Sequence, residues 1–269
     1  VSTALVQEHR THSLRFARAV LLFVSTALLV CEDAGMPPSA SRTARAIARE
    51  QLIAAIVASA REQLGVVGPV GLSVRAVARD LNLASSALYR YVASRDDLLT
   101  LLIVQIYDEL GAVAEACEAE CADADLATRW LTLCHALRGW AVAHPHDYAL
   151  LYGTPVPGYA APAATIPAAT RVTSVFLRLL AAIPEDSPAG RPLERPDLVG
   201  SIAGLTAFAP GNTREPVLVR GLLAWSAVFG TLSFELFGHL EGAITDYSRY
   251  ADLAFTQLGA DFGLTVATT

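Results

Sequence analysis

The sequence predicts an all-α protein in which a small helix-turn-helix domain is joined by a long helix to a larger helical domain. Three observations support this prediction. Of the 269 residues, 53% are hydrophobic, alanine is abundant and runs of β-branched residues are few, which favours helix over sheet. Apolar residues recur mostly at spacings of three and four, the helical period. The stretch from Leu72 to Leu99 also divides into two short helices and the start of a long one.

The chain is predicted to have three parts. Residues 1–38 form an N-terminal extension, 39–93 the helix-turn-helix domain and 94–263 the larger domain. The extension contains an apolar run, Ala19 to Cys31, which is short for a membrane span and resembles a signal-peptide core without a cleavage site. Because the only methionine is Met36, we expect the natural protein to begin at or near it. A helical anchor or an extra packing helix is the alternative.

The helix-turn-helix domain is predicted from caps and breakers. Its first helix spans Arg42 to Leu64 and is followed by four breakers, which are Gly65, Gly68, Pro69 and Gly71. Ser73 can cap the second helix, and Asn82 stands at the turn because asparagine tolerates the left-handed conformation. Leu83 and Leu88 anchor the third helix, leaving the polar residues from Ser85 to Tyr91 outside. Since Ala84 cannot cap that helix, about 1 kcal/mol of stability is lost there unless Ser85 takes over.

The larger domain is predicted to contain six helices. Ser94 and Asp97 form a capping box at the start of a long helix that ends near Cys121. The long helix could carry strain from one domain to the other, or simply fill the core. The other predicted helices span Asp125 to His144, Thr165 to Ile183, Asp197 to Phe208, Pro216 to Leu240 and Thr245 to Leu258.

Charge separates the two domains. The chain has a formal net charge of −6, which argues against a nonspecific nucleic-acid coat. Residues 37–100 nevertheless carry eight arginines against five acids, whereas residues 101–269 carry nine against eighteen. A mildly basic domain on an acidic one suits a protein that presents one end to DNA.

The cysteines and histidines do not predict a catalytic or metal site. Cys117, Cys121, Cys134 and the adjoining His135 fit no common zinc spacing, and free cysteine in alanine-rich helices is usually a buried packing residue. Cys134 and His135 diverge by about 100° on a helix, which makes them a poor nucleophile–base pair. We expect no metal, no cofactor and no enzyme activity.

Two motifs carry a resemblance to a known family. In the smaller domain the pattern is small-x-leucine-tyrosine-arginine-aromatic followed by serine-arginine-acid-acid-leucine-leucine, here 87–91 and 94–99. It resembles the DNA-binding domain of the tetracycline-repressor (TetR) family of bacterial regulators. A second stretch, from Trp140 to Gly153, together with Trp225, Gly230 and Glu235, resembles the Trp-His-Gly type of sensor domain found in actinobacterial members.

The resemblance implies a homodimeric cytoplasmic repressor, without stable membrane association, that a small, mainly apolar ligand releases from palindromic operator DNA. A repressor without a ligand and a membrane-anchored DNA-binding sensor are the alternatives. The residues expected at DNA are Arg42, Arg45, Ser73, Ser85, Ser86, Tyr89, Arg90, Tyr91 and Arg95. Those expected around the ligand are Trp140, His144, Tyr152, Tyr159 and Phe176. Those expected in the dimer interface are Gly221, Ala224, Val228 and Ala251.

Overall fold

The computed structural model describes residues 44–194, 209–211 and 213–264. Over these ranges all regular secondary structure is helical and no strand is present, which confirms the all-α prediction. The α-helices are α1 (Ala44–Gly71), α2 (Val74–Asp80), α3 (Ser85–Leu88), α4 (Arg95–Glu120), α5 (Leu126–Ala143), α6 (Pro145–Tyr152), α7 (Ile166–Ala181), α8 (Glu215–Leu236) and α9 (Tyr247–Ala260). Short 3₁₀ turns lie at Ala163–Thr165 and Pro188–Gly190. The predicted extension, Arg42, the side chain of Arg45 and the predicted helix Asp197 to Phe208 lie outside the described residues.

We call residues 44–93 the head and residues 94–264 the body. The first helix of the head continues past its predicted end at Leu64. Gly65 does not break it, because the chain leaves the helical conformation only at Gly68, where φ is 67° and Pro69 follows. With a ψ of 177°, this is a combination of angles that glycine alone adopts at little cost. The break is therefore one turn later than predicted.

The helix-turn-helix forms as its sequence predicts. The Ser73 hydroxyl oxygen accepts a hydrogen bond from the backbone N–H of Ala76, which caps α2. Asn82 has a φ of 54° at the turn. Ala84 starts α3 without a side-chain cap, and Ser85 does not replace it. The helical turn continues beyond Leu88, since the N–H groups of Tyr91 and Val92 both donate to the Leu88 carbonyl.

Helix α4 begins at the junction with the head and runs through the body. It begins at its predicted cap, where Ser94 Oγ accepts from the N–H of Asp97 at 3.0 Å, and its 26 residues span about 39 Å. Its buried side is continuous, through Leu98, Leu102 and Ile106. The helix contacts α1 in the head and packs against α5, α6 and α7 in the body.

Helices α8 and α9 close the body against α5. The Trp130 indole N–H of α5 donates to the carbonyl of Phe255 in α9 at 2.8 Å. Arg138 of α5 forms a bidentate ion pair with Glu235 of α8, donating from Nε and Nη2 to its two carboxylate oxygens. Helix α8 ends at Leu236 rather than at Leu240, because Gly238 turns the chain with a φ of 72°.

Among the described residues, two helical segments, Arg49–Gly71 and Glu215–Leu236, are long and apolar enough to cross a membrane by length and composition alone. The core helices of soluble proteins meet the same criterion. The first segment lies in α1 of the head, and the second is α8, which packs against α5, α7 and α9. Both helices therefore have an explanation within the fold.

Candidate functional site

The third helix of the head presents a polar edge to solvent. Leu88 and Val92 are fully buried and fix the segment in the core of the head. Ser86 and Arg90 are exposed, Ser85 is half-buried, and Tyr89 and Tyr91 remain 41% and 37% exposed. A short helix anchored by two apolar residues thus carries hydroxyl, phenol and guanidinium groups outward, the donors that contact nucleic-acid bases and phosphates.

Ser73 and Arg95 lie on either side of that edge in the sequence, and both already have partners within the protein. Ser73 Oγ accepts from the helix it caps, which leaves its O–H free to donate. Arg95 donates from Nη2 to the carbonyl of Pro69 at 2.8 Å, and its Nη1 lies 3.8 Å from Asp96. Arg95 therefore fastens the turn after Gly68 to the start of α4, a role the sequence did not reveal.

Two arginines of the head were missed by sequence reasoning. Arg75 and Arg79 are exposed and lie one turn apart on α2, opposite its buried residues Val74, Val77 and Ala78. The signal was present in the spacing, because basic residues four apart on the polar side of an amphipathic helix share one face. These arginines extend the basic character of the head beyond α3.

In the body, a continuous aromatic chain runs between the helices. Ring centroids are 5.1 Å apart for Phe176 and Trp225, 4.6 Å for Trp225 and Phe229, and 4.4 Å for Phe229 and Tyr152. Trp130 extends the chain at one end, and Tyr107 and Tyr148 at the other. Two of the five predicted ligand residues, Tyr152 and Phe176, belong to the aromatic chain.

The other three predicted ligand residues lie elsewhere. Trp140 is buried and stacks on His144, whose Nδ1 lies 3.0 Å from the Trp140 carbonyl oxygen. This pair lies at the C-terminal end of α5, and among the described residues no ring contact joins it to the aromatic chain. Tyr159 forms a hydrogen bond through its hydroxyl with Thr100 of α4 at 3.0 Å. Sequence reasoning could not place these side chains relative to the aromatic chain, because Trp140 and His144 lie at the end of α5 whereas Tyr159 lies in the segment after α6.

A small cavity borders the aromatic chain. It measures about 10 Å³ and is lined by Trp130, Leu133, Cys134, Leu137, Phe176, Trp225 and Val228. That is room for about one water molecule, and every lining residue is apolar. A larger ligand therefore requires these side chains to move apart.

Burial raises the pKa of several tyrosine and cysteine side chains in the body. Burial, together with the neighbouring Tyr159, raises the pKa of Tyr107 to about 12, and burial raises that of Tyr148 to about 12. Burial also raises the pKa of Cys117 to about 11 and that of Cys134 well above its ordinary value. The two thiols are therefore protonated at neutral pH and are poor nucleophiles or metal ligands.

The Cys134–His135 pair does not converge on one site. Cys134 is buried, whereas His135 faces outward and lies 3.1 Å from Asp252 of α9. The part of the chain that the structure describes also contains no group of three or more histidine, cysteine or acidic side chains able to hold a metal.

The residues predicted for the dimer interface pack within the body. Gly221, Ala224, Val228 and Ala251 are all buried within a single chain. A Cβ on Gly221 would lie 2.3 Å from Leu180 Cδ1, so this small residue accommodates α7 of its own chain. The apolar side chains that α8, its C-terminal turn and α9 leave exposed are Leu222, Leu223, Phe234, Phe237 and Leu253.

Comparison with known proteins matches both parts of the chain. A family model described as "Tetracyclin repressor-like, C-terminal domain" matches residues 130–258. HTH-type transcriptional regulators of Mycobacterium tuberculosis (Rv1816) and Mycobacterium bovis (Mb1846) are 41% identical over 203 residues, covering 71% of this chain and 83% of each relative.

Among the solved structures that resemble this protein, two illustrate the likeness over most of the chain. The crystal structure of the regulatory protein SCO4313 has a TM-score of 0.68 and 33% identity, covering 80% of this chain and 98% of that one. A protein of unknown function from Rhodococcus sp. RHA1 has a TM-score of 0.53 and 22% identity, covering 82% and 97%. The second likeness concerns the fold alone.

Proposed function

Since the chain belongs to the TetR family of transcriptional regulators, we propose that it is a homodimeric repressor, located in the cytoplasm, that a small apolar ligand releases from a palindromic operator. Members of this family regulate transcription and are not typically enzymes. The observation that carries the proposal is the polar edge of α3, which is held by Leu88 and Val92 and exposed through Ser86, Tyr89, Arg90 and Tyr91.

In this proposal α3 enters the major groove. Ser85, Ser86 and Arg90 lie nearest the base edges, since the recognition helix of such motifs contacts bases with its exposed residues. Ser73, Tyr89, Tyr91 and Arg95 hold phosphates, and Arg42 and Arg45 add to them. The exposed Arg75 and Arg79 on α2 join the phosphate contacts.

Two chains are needed because one head contacts only half of a palindrome. We place the dimer interface on the outward side of α8 and α9, where Leu222, Leu223, Phe234, Phe237 and Leu253 are exposed. A Cβ on Gly230 would have no atom within 4 Å, which leaves space for a partner helix to approach.

The ligand site is proposed at the aromatic chain. Because the adjoining cavity is lined by apolar side chains only, it favours an apolar ligand. Such a ligand must bind better to a body shape that misplaces the heads, and operator DNA must then weaken ligand binding by the same factor. A cavity of about 10 Å³ equally supports a second candidate, a repressor that has no ligand and is controlled by its own abundance.

The DNA-binding proposal is tested by selecting operators from random DNA with the purified protein, then titrating variants in gel-shift assays. Arg90→Ala should weaken binding to the selected operator by about 1–3 kcal/mol, because a guanidinium that contacts guanine contributes that much discrimination. Binding to unrelated DNA should change far less. Arg191→Ala removes an exposed arginine of the body and should change neither affinity. Equal operator affinity for Arg90→Ala and the parent protein would refute the placement of α3.

The ligand proposal is tested by screening metabolites and drugs for thermal stabilisation, with and without the selected operator. A true effector should stabilise the free protein more than the operator complex and should lower operator affinity. Compounds that stabilise the protein but leave operator affinity unchanged would contradict the release mechanism. A screen without hits would support the repressor without a ligand.

A further inference from the structure

One arginine of the head is held by two helices of the body. Arg61 of α1 donates from Nε to Asp147 of α6 at 2.8 Å, and from Nη1 to Glu109 of α4 at 3.1 Å. Its Nη2 donates to the second oxygen of Glu109. A single guanidinium therefore joins α1, α4 and α6, and the planar fork of arginine fixes the directions of all three bonds.

The Asp147 side of this junction is the more buried one. The Asp147 side chain is 5% exposed, whereas those of Arg61 and Glu109 are 29% and 32% exposed. Burial raises the pKa of Asp147, an effect that the charge of Arg61 offsets only in part. Although burial alone would lower it, the pKa of Arg61 is raised by its hydrogen bond to Glu109 and the charge of Asp147. Without Arg61, Asp147 would be a buried carboxylate without its cationic partner, which is unfavourable.

Two consecutive residues of α6 connect this junction to the aromatic chain, because Asp147 belongs to the junction and Tyr148 to the aromatic chain. Asp147 faces α1, and Tyr148 faces the core of the body. The Tyr148 hydroxyl bonds the carbonyl of Phe229 and the hydroxyl of Ser233, both at 2.9 Å. Its ring also packs against Tyr152. Because α6 has only eight residues, a displacement of Tyr148 also displaces Asp147.

A second contact joins α6 to α1 nearby. The ring of His146 lies against Gly65, where an added Cβ would be 3.4 Å from the ring. Helix α6 thus touches the head at two places one turn apart on α1, Arg61 and Gly65. This contact does not pass through the start of α4.

We propose that Arg61 is a positioning residue that couples the orientation of the head to the aromatic chain through Asp147 and α6. The inference rests on the proposed function as a dimeric DNA-binding regulator. The orientation of each head sets the separation at which two heads match two half-sites. With the junction intact, the dimer tolerates few half-site spacings. Without it, each head turns more freely about α4, and the dimer accepts more spacings.

The test measures operator affinity as a function of half-site spacing. The selected operator is compared with versions whose spacer is one base pair longer or shorter, which moves a half-site by about 3.4 Å. In Arg61→Met/Asp147→Asn, both charges are removed together so that neither is stranded. The preference for the native spacing should fall about two- to thirty-fold, the range that residues within a coupling network produce.

The chain offers a matched control. Arg171 of α7 makes a similar fork to Glu115 and Asp108 of α4, with the same 29% side-chain exposure, but both of these helices belong to the body. Arg171→Met/Glu115→Gln removes a comparable ion pair and should leave the spacing preference unchanged. Arg61→Lys keeps the positive charge but loses the fork. Its spacing preference should lie between those of the parent protein and the double variant, and it provides the test if the double variant does not fold.

Each outcome has a distinct meaning. If Arg61→Met/Asp147→Asn melts at a lower temperature yet keeps the native spacing preference, the junction only stabilises the fold and the inference is wrong. An equal loss of preference in the Arg171 control would also overturn it, because any lost ion pair would then suffice. If the parent protein selects no palindrome at all, the proposed function fails instead.

Discussion

The head and the body differ in how the residues proposed for their functions are distributed along the sequence. The residues with described side chains that are proposed to contact DNA fall between Ser73 in the head and Arg95 at the start of α4, and the exposed edge of α3 is built from neighbouring residues held by Leu88 and Val92. In the body the aromatic chain takes one or two residues from each of five helices, from Tyr107 of α4 to Phe229 of α8. A contiguous surface can be identified from a motif, whereas a distributed one depends on how helices pack.

The two parts also differ in how exposed they are. The edge of α3 presents polar residues to solvent, while the body packs its aromatic chain between helices and leaves a separate apolar surface, which includes Phe234 and Phe237, on α8 and α9. If this contrast is correct, changes in the body should alter assembly or pH-dependent stability. Changes in the head should alter DNA binding or local helix stability.

The largest expected effect is on assembly, from Leu223→Glu. Leu223 is 65% exposed in the single chain, so the chain should fold normally, but a charge buried in the proposed interface should cost about 3–5 kcal/mol for each copy. Light scattering at micromolar concentration should show twice the 28.5 kDa of one chain for the parent protein and a single chain for the variant. Operator affinity should fall with it.

Val66→Glu is the matched control, since Val66 is 84% exposed on α1, in the head. It should remain dimeric. A parent protein that already has the mass of one chain would remove the proposed interface altogether.

An intermediate effect is expected from Tyr148→Phe at alkaline pH. Tyrosine has an ordinary pKa of 10.0, and burial raises that of Tyr148 to about 12. The unfolded chain therefore loses this proton first. The stabilising contribution is complete below pH 10 and is lost as pH rises towards 12, by about 1.4 kcal/mol per pH unit.

At pH 8 the free energy of unfolding of Tyr148→Phe should be about 1 kcal/mol below that of the parent protein, because the variant lacks the hydrogen bond to Phe229. Between pH 10 and 12, that free energy should fall less in the variant than in the parent protein. Urea unfolding at several pH values measures both effects. Ser233→Ala keeps the phenol and should show the alkaline loss of the parent protein. Parallel curves for parent and Tyr148→Phe would contradict the burial argument.

The smallest effect is expected in the head, from Ala84→Ser. Helix α3 begins at Ala84 without a side-chain cap, and a serine there can accept from the first free N–H groups. This should stabilise the protein by about 1 kcal/mol, measured by urea unfolding. Ala160→Ser, at an exposed alanine outside the helices, should change nothing measurable. No gain from Ala84→Ser would mean that the local geometry rejects a cap.

Much of the fold was predictable because local chemistry determines it. The caps at Ser73 and Ser94 form where the sequence places them, and Asn82 takes the predicted left-handed turn. These features depend only on neighbouring residues. The position of the break in α1 was less predictable. Gly65, Gly68 and Gly71 could each have ended the regular helix, and only Gly68 has a positive φ.

The inward side of α8 was not predictable, because both of its sides are apolar and periodicity cannot say which one meets the body. The structure shows that Gly221 and Ala224 face inward and that Leu223 and Phe234 face solvent. The junction at Arg61 was also hidden, since its partners lie 48 and 86 residues away. Only three-dimensional packing brings such groups together.

The aromatic chain gives the molecule an optical property. All three tryptophans, Trp130, Trp140 and Trp225, belong to the body, and the head has none. Intrinsic tryptophan emission therefore originates in the body alone, with Trp130 and Trp225 bordering the small apolar cavity. A change in emission when operator DNA is added would arise at rings far from α3 along the chain. The unlabelled protein thus contains its own spectroscopic reporter of whether an event at the head reaches the body.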